Sequence, residues 1–176
     1  MLKSFFTDPG FVLTLRWLLA SVFLIAIVHK LKDPAEFRVT LEDYQLLPSI
    51  LLRPAFFALV SCEFVVICAL LANLEFGGFA AAVLLSVYTL AIGINLVRGR
   101  TEIDCGCSGP AVRQTLSIWL VVRNIALVVL ALITLVGSAD RVLGLLDWFT
   151  SLAAAGVFAL IYSAAAQLSA SHRVDI

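Results

Sequence analysis

Five runs of roughly twenty mostly apolar residues dominate this sequence, and they leave few folds open. They lie near Phe11–Leu31, Ile50–Asn73, Gly77–Val97, Leu116–Gly137 and Leu145–Leu168. A bilayer core about 30 Å thick is crossed by about 20 helical residues, so each run is long enough to span. The whole chain agrees: 62% of its 176 residues are hydrophobic, only 14% are charged, and mean hydropathy is +1.06. Soluble domains sit near 45–50% apolar and about 25% charged. These values exclude a disordered chain, a nucleic-acid binder and a typical water-soluble enzyme. A spanning β-barrel needs alternating segments of about ten residues, which the continuous runs do not supply. The expected fold is all-α: a polytopic membrane bundle of four to five transmembrane helices, with residues 1–176 forming one integral membrane unit. The last run is the weakest, because Ala153–Ala155 and Ala164–Ala166 dilute it. The first run reads as a retained helix, since Lys3 is the only basic residue before it and it is too long for a signal-peptide core.

The connections are unequal. Lys32–Ser49 and Arg98–Thr115 are 18 residues each and carry nearly all the polar chemistry, whereas the other two links are short. With five spans, both long loops and the C-terminal tail share one membrane face, called here the loop face. That face holds eight basic residues (Lys30, Lys32, Arg38, Arg53, Arg98, Arg100, Arg113, Arg173) against Lys3 and Arg141 opposite. The positive-inside rule would place it in the cytoplasm. Acidic residues (Asp33, Glu36, Glu42, Asp43, Glu102, Asp104) are mixed among those cations, and several of the cations belong to a candidate site.

The sharpest motif is Asp104-Cys105-Gly106-Cys107-Ser108-Gly109-Pro110, in the second long loop. Cys105 and Cys107 are one residue apart, and Gly106 gives the backbone the freedom a tight ring requires. A disulfide across so short a gap is strained, and strained disulfides are the labile, oxidising kind. Arg100 and Arg113 favour a thiolate nearby, while Asp104 opposes it. A redox dithiol is the leading reading. A zinc site would need more ligands than two thiolates, and His29 and His172 are the only histidines. An inert pair fits poorly with the polar, Gly-rich setting. Cys62 and Cys68, six residues apart in the second span, cannot bridge each other in a regular helix and read as small buried residues.

Arg16, Glu63 and Arg123 fall inside apolar runs, where a charge costs about 2.5–3.5 kcal/mol on insertion scales. Each is therefore expected to face the bundle interior, with either arginine as the partner of Glu63. His29, Lys30, Asn95, Arg98, Arg123 and Asn124 gather at the loop-face ends of their spans. They read as the lining of one pocket near Cys105 or, for His29, Lys30 and Arg98, as side chains snorkelling to the interface.

The run from Asn95 to Pro110, the following Leu116-Ser117 and Val122-Arg123-Asn124, and the upstream His29-Lys30-Leu31, Asp33-Pro34, Phe37 and Tyr44-Gln45-Leu46-Leu47-Pro48 together resemble the MauE family. That family of methylamine utilisation membrane proteins lies within a wider group of MauE and DoxX-like redox-associated membrane proteins. The likeness runs from about Arg16 to Gln167. It implies an inner-membrane role in maturing methylamine dehydrogenase, whose small subunit carries a tryptophan tryptophylquinone cofactor and many disulfides. The implied partners are a MauD-like, thioredoxin-fold protein, that small subunit and the lipid bilayer, with no nucleic acid. It also implies that Cys105 and Cys107 are the redox residues, acting on the periplasmic side against the charge count. Asp104, Arg100, Arg123, Asn124, His29, Lys30, Asn95 and Glu63 are supporting candidates. No metal is expected, and a membrane quinone is the candidate cofactor. Vitamin K epoxide reductase-like bundles offer an analogy at the level of fold, with Cys-x-x-Cys in place of Cys-x-Cys. The competing reading is a non-enzymatic scaffold or chaperone for export and assembly of the small subunit. A small transporter fits less well, because no pair of runs is interrupted by Gly or Pro.

Cys105 and Cys107 are expected to form a reversible disulfide of relatively oxidising potential. Mass spectrometry across a redox titration checks this. Thiols that stay reduced against strong oxidant, or stoichiometric zinc, would refute it.

Overall fold

The computed structural model describes residues 8–105, 115–135 and 144–171, without the side chains of 165–171. Six α-helices run through those residues: α1 Pro9–Lys32, α2 Pro34–Asp43, α3 Leu52–Leu71 after a single 3-10 turn at Ser49–Leu51, α4 Phe76–Val97, α5 Ile118–Ile133 and α6 Leu145–Ser171. Among the described residues the only extended pairing is an isolated bridge between Asp104 and Thr115. Four stretches are long and apolar enough to cross a bilayer: Pro9–Lys32, Ser49–Leu71, Phe76–Val97 and Leu145–Ala164. The 16-residue α5 is equally apolar but shorter, about 24 Å at 1.5 Å per residue. The chain is a polytopic helical membrane bundle.

Local signals set the ends. Asp8 opens α1 by accepting hydrogen bonds from the Gly10 and Phe11 amides, with Pro9 in the first helical position. Asp33 ends α1 and at once caps α2, accepting from the Glu36 amide at 3.0 Å ahead of Pro34. The sequence treats Lys32–Ser49 as a polar connection. The structure instead folds Pro34–Asp43 into a helix, and Phe37, Thr40 and Tyr44 are buried along one side at helical spacing.

Side-chain contacts fix the directions of the spans. Arg16, early in α1, meets Asn73 in the α3–α4 turn, whereas Lys30, late in α1, meets Glu63 in mid α3. Hence α1 and α3 run antiparallel. Gly78 near the start of α4 lies against Thr134 just beyond α5, and Ile92 near the end of α4 packs with Leu120 near the start of α5. That pair is antiparallel as well. The core between these helices includes Leu19, Phe23, Ile67, Leu70, Leu85 and Leu127. Helix α6 lies against α1, with the Trp17 and Trp148 rings 5.9 Å apart edge to face and the Ser151 hydroxyl donating to the Gly10 carbonyl at 3.2 Å.

Outward positions are apolar, as lipid contact allows: Phe57, Phe64, Leu90 and Ile161 are all more than half exposed. Cys62 and Cys68 belong to this outer surface and carry free thiols. The expectation that they are buried is thereby corrected. Lipid accepts a small thiol as readily as a helix interface does, so an apolar run does not say which way its members face.

Gly78 marks the tightest crossing. A Cβ there would collide with Thr134 Oγ1 and sit 3.0 Å from the Ala131 carbonyl oxygen. Gly93, on the same helix, has open space around it. Gly78→Val is expected to lower stability by about 1–3 kcal/mol through overpacking. Gly93→Ala should be neutral or slightly stabilising. Thermal unfolding of the two variants in the same detergent checks the contrast.

Candidate functional site

Three spans converge on one buried charge pair. Lys30, in the last turn of α1, donates through Nζ to Glu63 Oε1 in mid α3. The Tyr88 hydroxyl of α4 accepts from Lys30 at 3.1 Å and donates to the same Glu63 oxygen at 2.7 Å. Lys30 is 3% exposed and Glu63 is fully buried. The ammonium also lies 4.9 Å from the centre of the Phe37 ring and 4.8 Å from that of Tyr88, so aromatic faces supply part of its lost solvation. An isolated charge here would cost several kcal/mol, and pairing offsets that cost.

This corrects two expectations. Lys30 does not snorkel to the interface; it turns inward, and Glu63 neutralises it, which removes Lys30 from the loop-face charge count. Neither intramembrane arginine pairs with Glu63. Arg16 donates to Asn73 Oδ1 and, at 3.5 Å, to the Thr134 carbonyl, tying α1 to the short-connection ends of α3, α4 and α5. Arg123 is half-buried, with its guanidinium 5.3 Å from the centre of the Tyr162 ring of α6.

Beside the charge pair is a cavity of about 360 Å³. Its walls are almost wholly apolar, with Lys30, Phe37, Tyr44, Leu59, Tyr88 and Cys105 at the positions that bear on chemistry. The route that brings Cys105 there is short. Helix α4 ends at Val97, and Gly99 just beyond it has a φ of +73°, which suits a residue without a Cβ. Gly99 N donates to the Leu96 carbonyl and Arg100 N to the Asn95 carbonyl, both at 3.0 Å. This paired closure of a helix end reverses the chain. Arg100 then reaches Gln45 Oε1 and the Asp43 carbonyl, on either side of Tyr44. The Asp104–Thr115 bridge and the Leu116 amide on the Ile103 carbonyl, at 3.0 Å, close the base of the loop. Cys105 is thus buried in a cluster with Tyr44, Ile92, Leu116 and Leu120.

Of the residues singled out in the sequence, the structure brings Lys30 and Cys105 to one cavity, with Glu63 directly behind Lys30. Arg100 and Asp104 hold the loop that carries Cys105. Asn95 is fully buried and donates to the Ala91 carbonyl at 3.1 Å, and Asn124 is also buried. His29 is half-buried and Arg98 is exposed, and neither lines this cavity. Cys107 and Arg113 lie outside the described residues. Sequence reasoning missed Tyr88 as a site residue. Its signal was present: Tyr88, Ile92 and Asn95 recur at four- and three-residue steps on one side of α4.

A family profile described as methylamine utilisation protein MauE matches residues 9–137. This chain belongs to the MauE family. It is 34% identical over 170 residues to methylamine utilization protein MauE of Paracoccus denitrificans, covering 95% of this chain and 91% of that one. Against the protein of the same name from Paracoccus versutus it is 34% identical over 164 residues, 92% of this chain and 88% of the other. The Methylorubrum extorquens protein of that name is 31% identical over 173 residues, 96% and 92% of the two chains. No solved structure matches. The MauE match takes in the charge pair, Tyr88, the cavity and Cys105, and stops short of α6.

Lys30→Met strands Glu63 as a buried, unpaired carboxylate. The expected loss is about 3–5 kcal/mol of stability. Combining Lys30→Met with Glu63→Leu removes both charges and should recover most of that loss. A double-mutant cycle by thermal unfolding in detergent checks the coupling.

Proposed function

We propose that this MauE-family chain is a thiol–disulfide redox protein of methylamine utilisation, with Cys105 and Cys107 as its working pair. The observation that carries the reading is the seat of Cys105. Its side chain is buried at the edge of an apolar cavity shared with the Lys30–Tyr88–Glu63 network. A thiol whose only task is packing needs no such neighbours. In this reading the protein sits in the bacterial inner membrane with its loop face toward the periplasm. It exchanges disulfides with a MauD-like, thioredoxin-fold partner, and through it serves maturation of the methylamine dehydrogenase small subunit. Exchange proceeds through a mixed disulfide in which a thiolate of Cys105 or Cys107 is the attacking or the leaving group. Arg100 and Arg123 are the candidate cations for stabilising that thiolate.

The test is trapping. In cells expressing the thioredoxin-fold partner, Cys107→Ser and Cys105→Ser should each change which mixed disulfides accumulate, and the double variant should accumulate none. Active dehydrogenase should fall to background in the double variant while the membrane level of the protein holds. Full maturation by the double variant would sink the redox reading and leave a scaffold. A thiol reagent that cannot cross the inner membrane should label the loop cysteines in intact cells.

A further inference from the structure

The cavity beside Cys105 is built for more than a resting thiol. Helices α3 and α4 are pinned together at their short turn, where a Cβ at Gly77 would lie 3.1 Å from the Ala69 backbone. Toward the loop face the same two helices leave the cavity between them, lined by the small side chains Ala55, Ala58 and Ala91. Ala58 and Val87 belong both to the cavity wall and to the exposed outer surface of the two spans. The opening therefore faces the hydrocarbon, and a ligand enters from the bilayer.

The polar groups narrow what fits. Lys30 and Tyr88 are the donors at the wall, and both are already matched to Glu63 Oε1. The pair is neutral as a whole, so the site offers no net charge to an anionic headgroup. A plain acyl chain would leave the third N–H of Lys30 without an acceptor. What remains is a neutral, lipid-soluble ring that accepts hydrogen bonds. Glu63 Oε2, the other oxygen of that carboxylate, is buried with no hydrogen-bond partner among the described residues. At about 360 Å³ the cavity falls within the usual range for small-molecule sites.

We propose that this cavity binds the ring of a membrane quinone, and that the quinone is the electron acceptor for the Cys105–Cys107 pair. The proposal rests on the thiol–disulfide reading above. The reaction balances as a two-electron exchange. The two S–H bonds break and one S–S bond forms, releasing two electrons and two protons. Both electrons enter the quinone, and its two carbonyl oxygens take up the two protons to give the quinol. Lys30, whose ammonium keeps one N–H beyond those given to Glu63 and Tyr88, donates it to a ring carbonyl as negative charge grows there. Glu63 acts as a positioning residue, holding both donors at the wall.

The experiment uses the full chain in lipid nanodiscs, first depleted of endogenous quinone, with decylubiquinone as the probe. Saturable binding at one site per chain is expected. Ala58→Trp fills the mouth from an exposed position and should weaken binding about tenfold or more. Val129→Trp, on the outer face of α5, should leave it unchanged. Cys105→Ser should abolish quinol formation by the reduced protein. Absence of saturable binding, or binding indifferent to Ala58→Trp, overturns the site. Binding without quinol formation by the reduced wild type overturns the acceptor role. If mixed disulfides are trapped in cells but no quinone binds, the thiol reading stands and this proposal falls.

Discussion

The loop-face half of this bundle is organised around one buried ion pair. Lys30 and Glu63 come from the first and third helices and share a tyrosine from the fourth. Neither charge could enter a bilayer alone without a cost of several kcal/mol. Each therefore selects the arrangement in which it meets the other. The pair sets the relative height of α1 and α3 and draws Tyr88 of α4 to the same level. It also gives α2 a reason to lie where it does, since Phe37 covers the ammonium and packs 6.0 Å from Phe56 of α3.

Everything distinctive about Cys105 follows from that frame. The short helix α2 brings Tyr44 to the rim, and the reversal at Gly99 returns the chain over the end of α4. Arg100 binds on either side of Tyr44, so the two long connections are tied to each other and not merely side by side. A thiol in water would be one of many. Here it is buried at the boundary between an apolar cavity and the polar loops.

How much of this was legible depended on what hydropathy encodes. The spans were, because continuous apolar runs have one reading in a bilayer; Phe11–Leu31 was expected where Pro9–Lys32 forms. The helix Pro34–Asp43 was missed although Asp33-Pro34 and Glu36 are a recognisable helix start. Its polarity on average hid a three-residue buried stripe. The partner of Glu63 was misread for a different reason. Arg16 and Arg123 lie inside their runs and so drew attention, while Lys30 stands at the end of one and looked interfacial. Which helices are neighbours around the bundle decides the pairing, and linear sequence does not carry that order. The same holds for Cys62 and Cys68, since lipid and protein are both apolar surroundings. The Cys-Gly-Cys motif that carries Cys105 stood out in the sequence, because two cysteines around a glycine in a polar loop have few structural uses. The cavity beside Cys105 was not legible, being made by five separate segments.

Helix α6 has a consequence for how the chain is assembled. It follows α1–α5 in the chain, and it rests on the first of them: Trp148 on Trp17, Ser151 on Gly10. It also supplies the ring beneath the Arg123 guanidinium. During synthesis the outer side of α1 must therefore wait, facing lipid or the insertion machinery, until the rest of the bundle has been threaded. The wait is tolerable because that side is apolar, so lipid is an adequate substitute for the missing helix. Lipid tails supply no aromatic face for the Arg123 guanidinium. The arrival of α6 thus adds an aromatic face to a cation already carried by α5.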